Sequence, residues 1–316
     1  MTHRKFSVAA GFGCVLALLA GAAVPARGGA GSEARPARIV SLVPAVTETL
    51  FAVGAGPRVV GVSTYCDHPD EARRLPKVGT FSEPVAEAIV ALHPDLVLTS
   101  PSPGNEAAVR AIERTGVKVA VVQAEGGLAE VRGAILAVAR EAGEEGAGRD
   151  LVARIDARLA SLRHLAEGFP HPKVAVVVGR EPLVLAGPGS YLGELVDLTG
   201  GANVAAAVGG RWPRVGMEYL VASAPEVIVD LSVSMGEEAG QGADAAAYWK
   251  GFSSLPAVAS GRVVTDHASV MLRPGPRLAE AAEALFAALH PGAAEPTRAA
   301  PPAPRGTGTI GRRPAS

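Results

Sequence analysis

Apolar positions along this chain follow two alternating rhythms. Short β-branched runs such as ARIVSLV (37–43) and RVVGVSTY (58–65) are bounded by Pro and Gly. Between them AVTETLFAVG places its apolar residues at helical spacing. The exchange continues through helix VAEAIVALH, strand DLVLTS, helix NEAAVRAIERTG, strand VKVAVVQ and helix LAEVRGAILAVAREAG. One stretch then breaks it. EEGAGRDLVARIDARLASLRHLAEGF sets Leu151, Ile155, Leu159 and Leu162 at helical spacing among charges, which predicts a single long amphipathic helix. Alternation restarts with KVAVVVG, PLVLAG, SYLGELVDLTGG and RVVTDH, and it closes on the apolar helix PRLAEAAEALFAALH. This order predicts an α/β fold: two Rossmann-like lobes with mostly parallel sheets, joined by one long rigid helix. The expected boundaries are 37–142 and 171–291 for the lobes and 143–170 for the linking helix.

A repeat supports two related lobes independently. AEAIVALHPDLVL (Ala86 to Leu98) returns as MEYLVASAPEVIV (Met217 to Val229), displaced by 131 positions. Glu87 falls on Glu218, Val90 on Val221, Ala91 on Ala222 and Pro94 on Pro225. The match extends upstream, where Phe81 and Trp212 each lie six residues before their glutamate. A looser echo, at another offset, joins ETLFAVGAG from Glu48 to ELVDLTGGA from Glu194. Two lobes that each present an aromatic and a glutamate at matched positions predict a pseudo-twofold clamp.

The chain ends read differently. His3, Arg4 and Lys5 precede FSVAAGFGCVLALLAGAA, and small-residue cleavage options follow, so residues 1–26 are expected to be a secretory signal peptide. GFGC lacks the aliphatic residue expected three before a lipidated cysteine, so lipidation at Cys14 is not expected. Cys66 is then the one thiol of the mature chain, and it has no partner for an internal disulfide. Residues 292–316 are rich in Pro, Ala, Gly and Arg and are expected to be a disordered tail. No spanning-length apolar run follows the signal, so the expectation is a soluble, monomeric protein in the periplasm or otherwise outside the cytoplasm. A net charge of -1 over 316 residues, with no basic run, argues against a nucleic-acid partner.

Enzyme signatures are poor. GPGSYLG (Gly187 to Gly193) is a loosened dinucleotide fingerprint, better read as a tight strand-to-helix turn. Cys66 and His68 mimic a thiol–imidazole pair but share one short loop. YCDHP, from Tyr65, offers S, O and N donors, yet the seven histidines are scattered and no metal motif occurs. No catalytic residue, cofactor or metal is therefore assigned. The aromatics carry more. They make up only 4% of the chain, yet Tyr65, Phe81 and Trp212 all fall just after strands or before helices, where parallel sheets bind ligands.

RIVSLVPAVTETLFAVGAGPRVVGVSTYCDHP, both glutamate motifs, LVLAGPGSYLGELVDLTGGANV and RPGPRLAEAAEAL together resemble the periplasmic cobalamin-binding and ferric-siderophore-binding proteins of ABC importers. The likeness runs from about Arg38 to Pro291 and is strongest to the cobalamin branch. It implies a ligand cleft between the lobes, a non-catalytic role, and a corrinoid, cobalamin first, as cargo. Tyr65, Phe81, Trp212 and Arg273 stand at ligand-binding positions, with Phe81 where the family's cobalamin binder has tryptophan. Glu87 and Glu218 stand where one glutamate per lobe docks onto arginines of a permease dimer. Rival cargoes within the family are a ferric siderophore, held by arginines such as Arg180, Arg211 and Arg273, and haem, ligated by Tyr65 or His68. A secreted enzyme or a sensor lobe on the same fold is the reading from another class.

Overall fold

The structure, a computed structural model, describes residues 35–123, 126–232, 242–265 and 268–293. The expected signal peptide with Cys14, and the expected tail from residue 294 onward, lie outside the described residues.

Four short strands begin the first lobe: β1 (Ile39–Ser41), β2 (Val59–Val62), β3 (Leu96–Thr99) and β4 (Lys118–Val121). They pair in the order β2-β1-β3-β4, every pair parallel. Between them run α1 (Pro44–Ala52), α2 (Asp70–Arg73), α3 (Ala86–Ala91) and α4 (Glu106–Glu113), and α5 (Leu128–Glu141) follows β4. A proline at the first position of α1 needs no donor there, so it starts the helix without loss.

The long helix α6 (Glu145–Ala166) leads into the second lobe, and Leu151, Ile155, Leu159 and Leu162 form its buried stripe. There β5 (Lys173–Arg180) and β6 (Leu183–Leu185) form an antiparallel hairpin, since the two residues between them leave no room for a crossover. Helix α7 (Tyr191–Leu198), β7 (Ala202–Asn203), α8 (Met217–Ser223), β8 (Val227–Asp230), α9 (Gly242–Lys250), α10 (Pro256–Ala259), β9 (Val263–Val264), α11 (Ala268–Met271) and α12 (Leu278–Leu289) complete it. The sheet runs β6-β5-β8-β9, with β7 beside β5, and all pairs other than the hairpin are parallel.

The parallel strands of the two sheets share an order, β2-β1-β3-β4 and β7-β5-β8-β9, and divide their faces alike. Successive side chains on a strand point to opposite sides. Ile39, Leu96, Val174 and Val227 enter one continuous apolar core that also takes Val131 and Ile135 of α5, the α6 stripe, Leu195 of α7 and Phe286 of α12. Val40 and Val97 face away and pack with Ile89 and Ile112. Ala175 and Ile228 face away in the other lobe and pack with Leu220 and Trp249. The lobes are therefore joined by shared core as well as by a helix. Arg158 fixes α6 to α12 through a two-point contact with Glu283, at 3.0 and 2.8 Å. No helix among the described residues is long and apolar enough to cross a membrane.

Candidate functional site

The repeat is a structural unit as well as a sequence match. Glu87 and Glu218 stand exposed in the first turns of α3 and α8, and the same register then buries Ile89 and Leu220. After each helix an acidic residue turns back to the sheet. Asp95 Oδ2 accepts from the Ala37 and Arg38 amides at 2.7 and 2.9 Å, and Glu226 Oε2 accepts from the Lys173 amide at 2.8 Å. Before each helix an extended segment lies beside an edge strand. Val62 donates to the Pro76 carbonyl and Val78 donates to Val62. In the other lobe Leu185 donates to Pro213 and Gly187 to Arg211. Phe81 and Trp212 follow or sit in these segments, which explains why both are held at a sheet edge.

Tyr65, Phe81 and Trp212 are 40%, 40% and 38% exposed, and every other aromatic side chain among the described residues is buried or partly buried. Tyr65 and Phe81 pack with ring centroids 6.1 Å apart. Trp212 stands edge-on to the buried Tyr191 at 6.5 Å. Burial pushes the Tyr191 phenol well above its ordinary pKa, so it stays a donor, and its hydroxyl donates to the Met271 carbonyl at 2.7 Å. Two residues on, Arg273 reaches the Tyr65 carbonyl at 3.4 Å. A continuous line of contacts thus runs from Trp212 in one lobe to Phe81 in the other.

Arg273 does not stand free. Its guanidinium donates to Asp67 and lies 3.4 Å from Glu48 Oε1. Glu48, 2% exposed, also accepts from Arg277 at 2.8 and 2.6 Å. The Arg273 hydrogen bond holds the Asp67 carboxyl below its ordinary pKa. Arg180 is likewise engaged. It donates to the buried Asp230 at 2.8 Å and lies over the Tyr248 ring at 4.9 Å. Arg211 alone of the three expected ligand arginines is exposed and has no carboxylate partner among the described residues.

Sequence reasoning missed Glu48, Asp67, Arg277 and Glu194 as contacts between lobes. Glu48 of α1 meets Arg277 at the start of α12, and Glu194 of α7 accepts from the Leu128 amide at the start of α5, at 3.0 Å. Only the loose echo of ETLF and ELVD carried a signal of this. The Trp249 side chain is 1% exposed, and its Nε1 donates to Asp230 at 2.7 Å.

The remaining motifs are structural. Ser190 caps α7, accepting from Gly193 at 3.0 Å, and a side chain on Gly193 would collide with the Gly187 carbonyl. GPGSYLG is thus a strand-to-helix turn. Cys66 is buried against Thr47 and Ser63, with its thiol pKa raised by desolvation, while His68 is exposed. Among the described residues no three metal-binding side chains gather.

A family model described as periplasmic binding protein matches residues 39–270. The vitamin B12-binding protein of Salmonella paratyphi A is 29% identical over 252 residues, spanning 80% of this chain and 90% of that protein. An uncharacterized ABC transporter substrate-binding lipoprotein of Bacillus subtilis is 29% identical over 262 residues, spanning 81% of each. Among solved structures, the periplasmic heme-binding protein RhuT from Roseiflexus sp. RS-1, in apo form, superposes with a TM-score of 0.68 at 28% identity, covering 79% of this chain and 97% of that one.

Proposed function

The chain belongs to the periplasmic binding protein family, and on that premise we propose that it carries a corrinoid, cobalamin first, to an ABC permease. The observation that carries this reading is the trio of exposed aromatics, Tyr65, Phe81 and Trp212, on one line of contacts across the lobes. Exposed aromatic faces from two sides suit a flat macrocycle, because each buries a large apolar area with little side-chain freedom to lose.

The charges favour a corrinoid over a siderophore. Ferric catecholates are multiply anionic and need several uncompensated cations. Arg180 and Arg273 are already neutralised by Asp230, Glu48 and Asp67, which leaves Arg211. A corrin ring bordered by amides asks for little positive charge. Haem is the second reading, because Tyr65 presents an exposed phenol at the aromatic line and RhuT binds haem.

In this reading residues 37–142 and 171–291 are the lobes, 143–170 is the bridge, and the aromatics line a cleft between them. The mature protein works as an extracytoplasmic monomer without catalysis. Glu87 and Glu218 are the permease contacts. Their pseudo-twofold placement suits a transporter with a twofold axis. Incubation with cyanocobalamin or haemin, desalting and a visible spectrum tests the cargo. Retained corrinoid at about one per protein supports the proposal. Retained haem with no corrinoid, and loss of it in Tyr65→Phe, establishes the second reading instead.

A further inference from the structure

Arg273 extends from the second lobe, and every acceptor it meets belongs to the first. Glu48 is on α1, while Asp67 and the Tyr65 carbonyl are both in the loop that presents the Tyr65 ring. The side chain is 18% exposed, with Nη1 facing two carboxylates and Nη2 facing the carbonyl. A guanidinium's donors form a fixed fork, so an arginine engaged in this way has little left to offer a ligand. Its grip on the loop is also distinct from the loop's internal ties. Within the first lobe Lys77 Nζ donates to the Cys66 carbonyl at 2.8 Å, and Arg73 Nε donates to the Asp67 carbonyl at 2.6 Å. These hold the loop's backbone to its own lobe. Arg273 holds it to the other.

The same short segment governs the opposite wall. The Met271 carbonyl takes the Tyr191 hydroxyl, and Tyr191 backs Trp212. Residues 271–273 therefore touch the supports of both aromatic walls. We infer that Arg273 is a positioning residue that sets the Tyr65 loop through Asp67, and that the pair fixes the spacing of the aromatic walls and so the fit of a flat ligand. This rests on the aromatic trio being the binding site. It differs from the expectation that Arg273 touches the ligand.

The two roles predict opposite signs for Asp67→Asn. If the guanidinium bound an anionic ligand group, removing the Asp67 charge would release it and tighten binding. If it positions the loop, Asp67→Asn and Arg273→Gln should each weaken cyanocobalamin binding by about tenfold, and the double variant should be no weaker than Arg273→Gln alone, because Asp67 acts through that guanidinium. Hydrogen exchange of residues 63–69 in ligand-free protein supplies a readout that needs no cargo, and it should rise in both variants. Asp67 is the safer variant, since its side chain is 51% exposed and the fold does not depend on burying it. Tighter or unchanged binding in Asp67→Asn, or unchanged exchange in both variants, overturns the inference. A parent protein that binds no cyanocobalamin while the variants still loosen the loop would overturn the cargo assignment and leave the positioning role standing.

Discussion

His93 and Ala224, 131 positions apart, adopt the same left-handed backbone, with φ of 46° and 47°. Among the described residues they are the only residues other than glycine with positive φ. Each ends the repeated helix and precedes a proline, at the point where a helix commonly closes with a left-handed residue. An L side chain there costs about 1–2 kcal/mol, and glycine relieves this at about 0.5–1 kcal/mol of added chain entropy. Ala224→Gly should therefore raise the unfolding free energy by up to about 1 kcal/mol, and Ala224→Val should lower it. Urea denaturation of both variants beside the parent measures this.

Glu87 and Glu218 should matter for docking and not for cargo. Both are exposed in first turns, and neither makes a recorded side-chain bond among the described residues. Reversing either to Lys would set like charges against permease arginines and cost several kcal/mol of complex stability, about 2–5 kcal/mol. Because both sit on one shared-core body, the double reversal should abolish capture by the cognate permease. A cyanocobalamin titration of that same variant should match the parent. A double variant that still docks would leave the repeat as a relic of duplication.

Trp212→Ala should weaken cyanocobalamin binding by about 1–3 kcal/mol, the loss of an aromatic anchor. Bound corrin should also quench the Trp212 share of the fluorescence. Trp249 is the internal reference, and a better one than a surface residue would be. It is buried with its Nε1 fixed on Asp230, so its own emission should be blue-shifted and unaffected by the substitution. Equal affinity in Trp212→Ala would reduce that residue to a packing partner of Tyr191.

Glu48 joins the lobes at a buried point, so Glu48→Ala should cost about 3–5 kcal/mol by leaving arginine charge uncompensated. Glu48→Gln keeps an acceptor and should cost less. Neighbouring Asp67 adds a pH dependence. Its folded pKa is depressed, first by the Arg273 hydrogen bond, so the stability it contributes is complete above the ordinary value of 3.8 and is lost as pH falls through the folded value. The stability difference between parent and Asp67→Asn should hold steady between about pH 5 and 7 and shrink in stronger acid. Scattering from free and loaded protein should show little change in radius of gyration, since the core and these contacts resist hinge bending.

Local pattern carried most of the architecture. The α6 stripe, the alternating strands and the repeated helix all follow from spacing that short-range geometry fixes. The exposed aromatics were legible because the repeat marked Phe81 and Trp212 as a pair. What stayed hidden depends on distant partners. Trp249 lies on an alanine-rich helix whose apolar pattern names no face, and its burial is decided by Asp230 at the tip of β8. Arg273 meets Asp67 and Glu48, which lie more than two hundred positions earlier. No periodicity encodes such a meeting.

The crossed glutamates carry a consequence for ancestry. Glu48 of the first lobe meets the start of α12 in the second, and Glu194 of the second meets the start of α5 in the first. Each half thus lends a carboxylate to the start of a helix in the other half. A half-length progenitor could have made both contacts by pairing with a second copy of itself, exchanging one glutamate each way across a twofold axis. Gene fusion would then have made permanent a partnership that already existed between separate chains, with α6 as the seam.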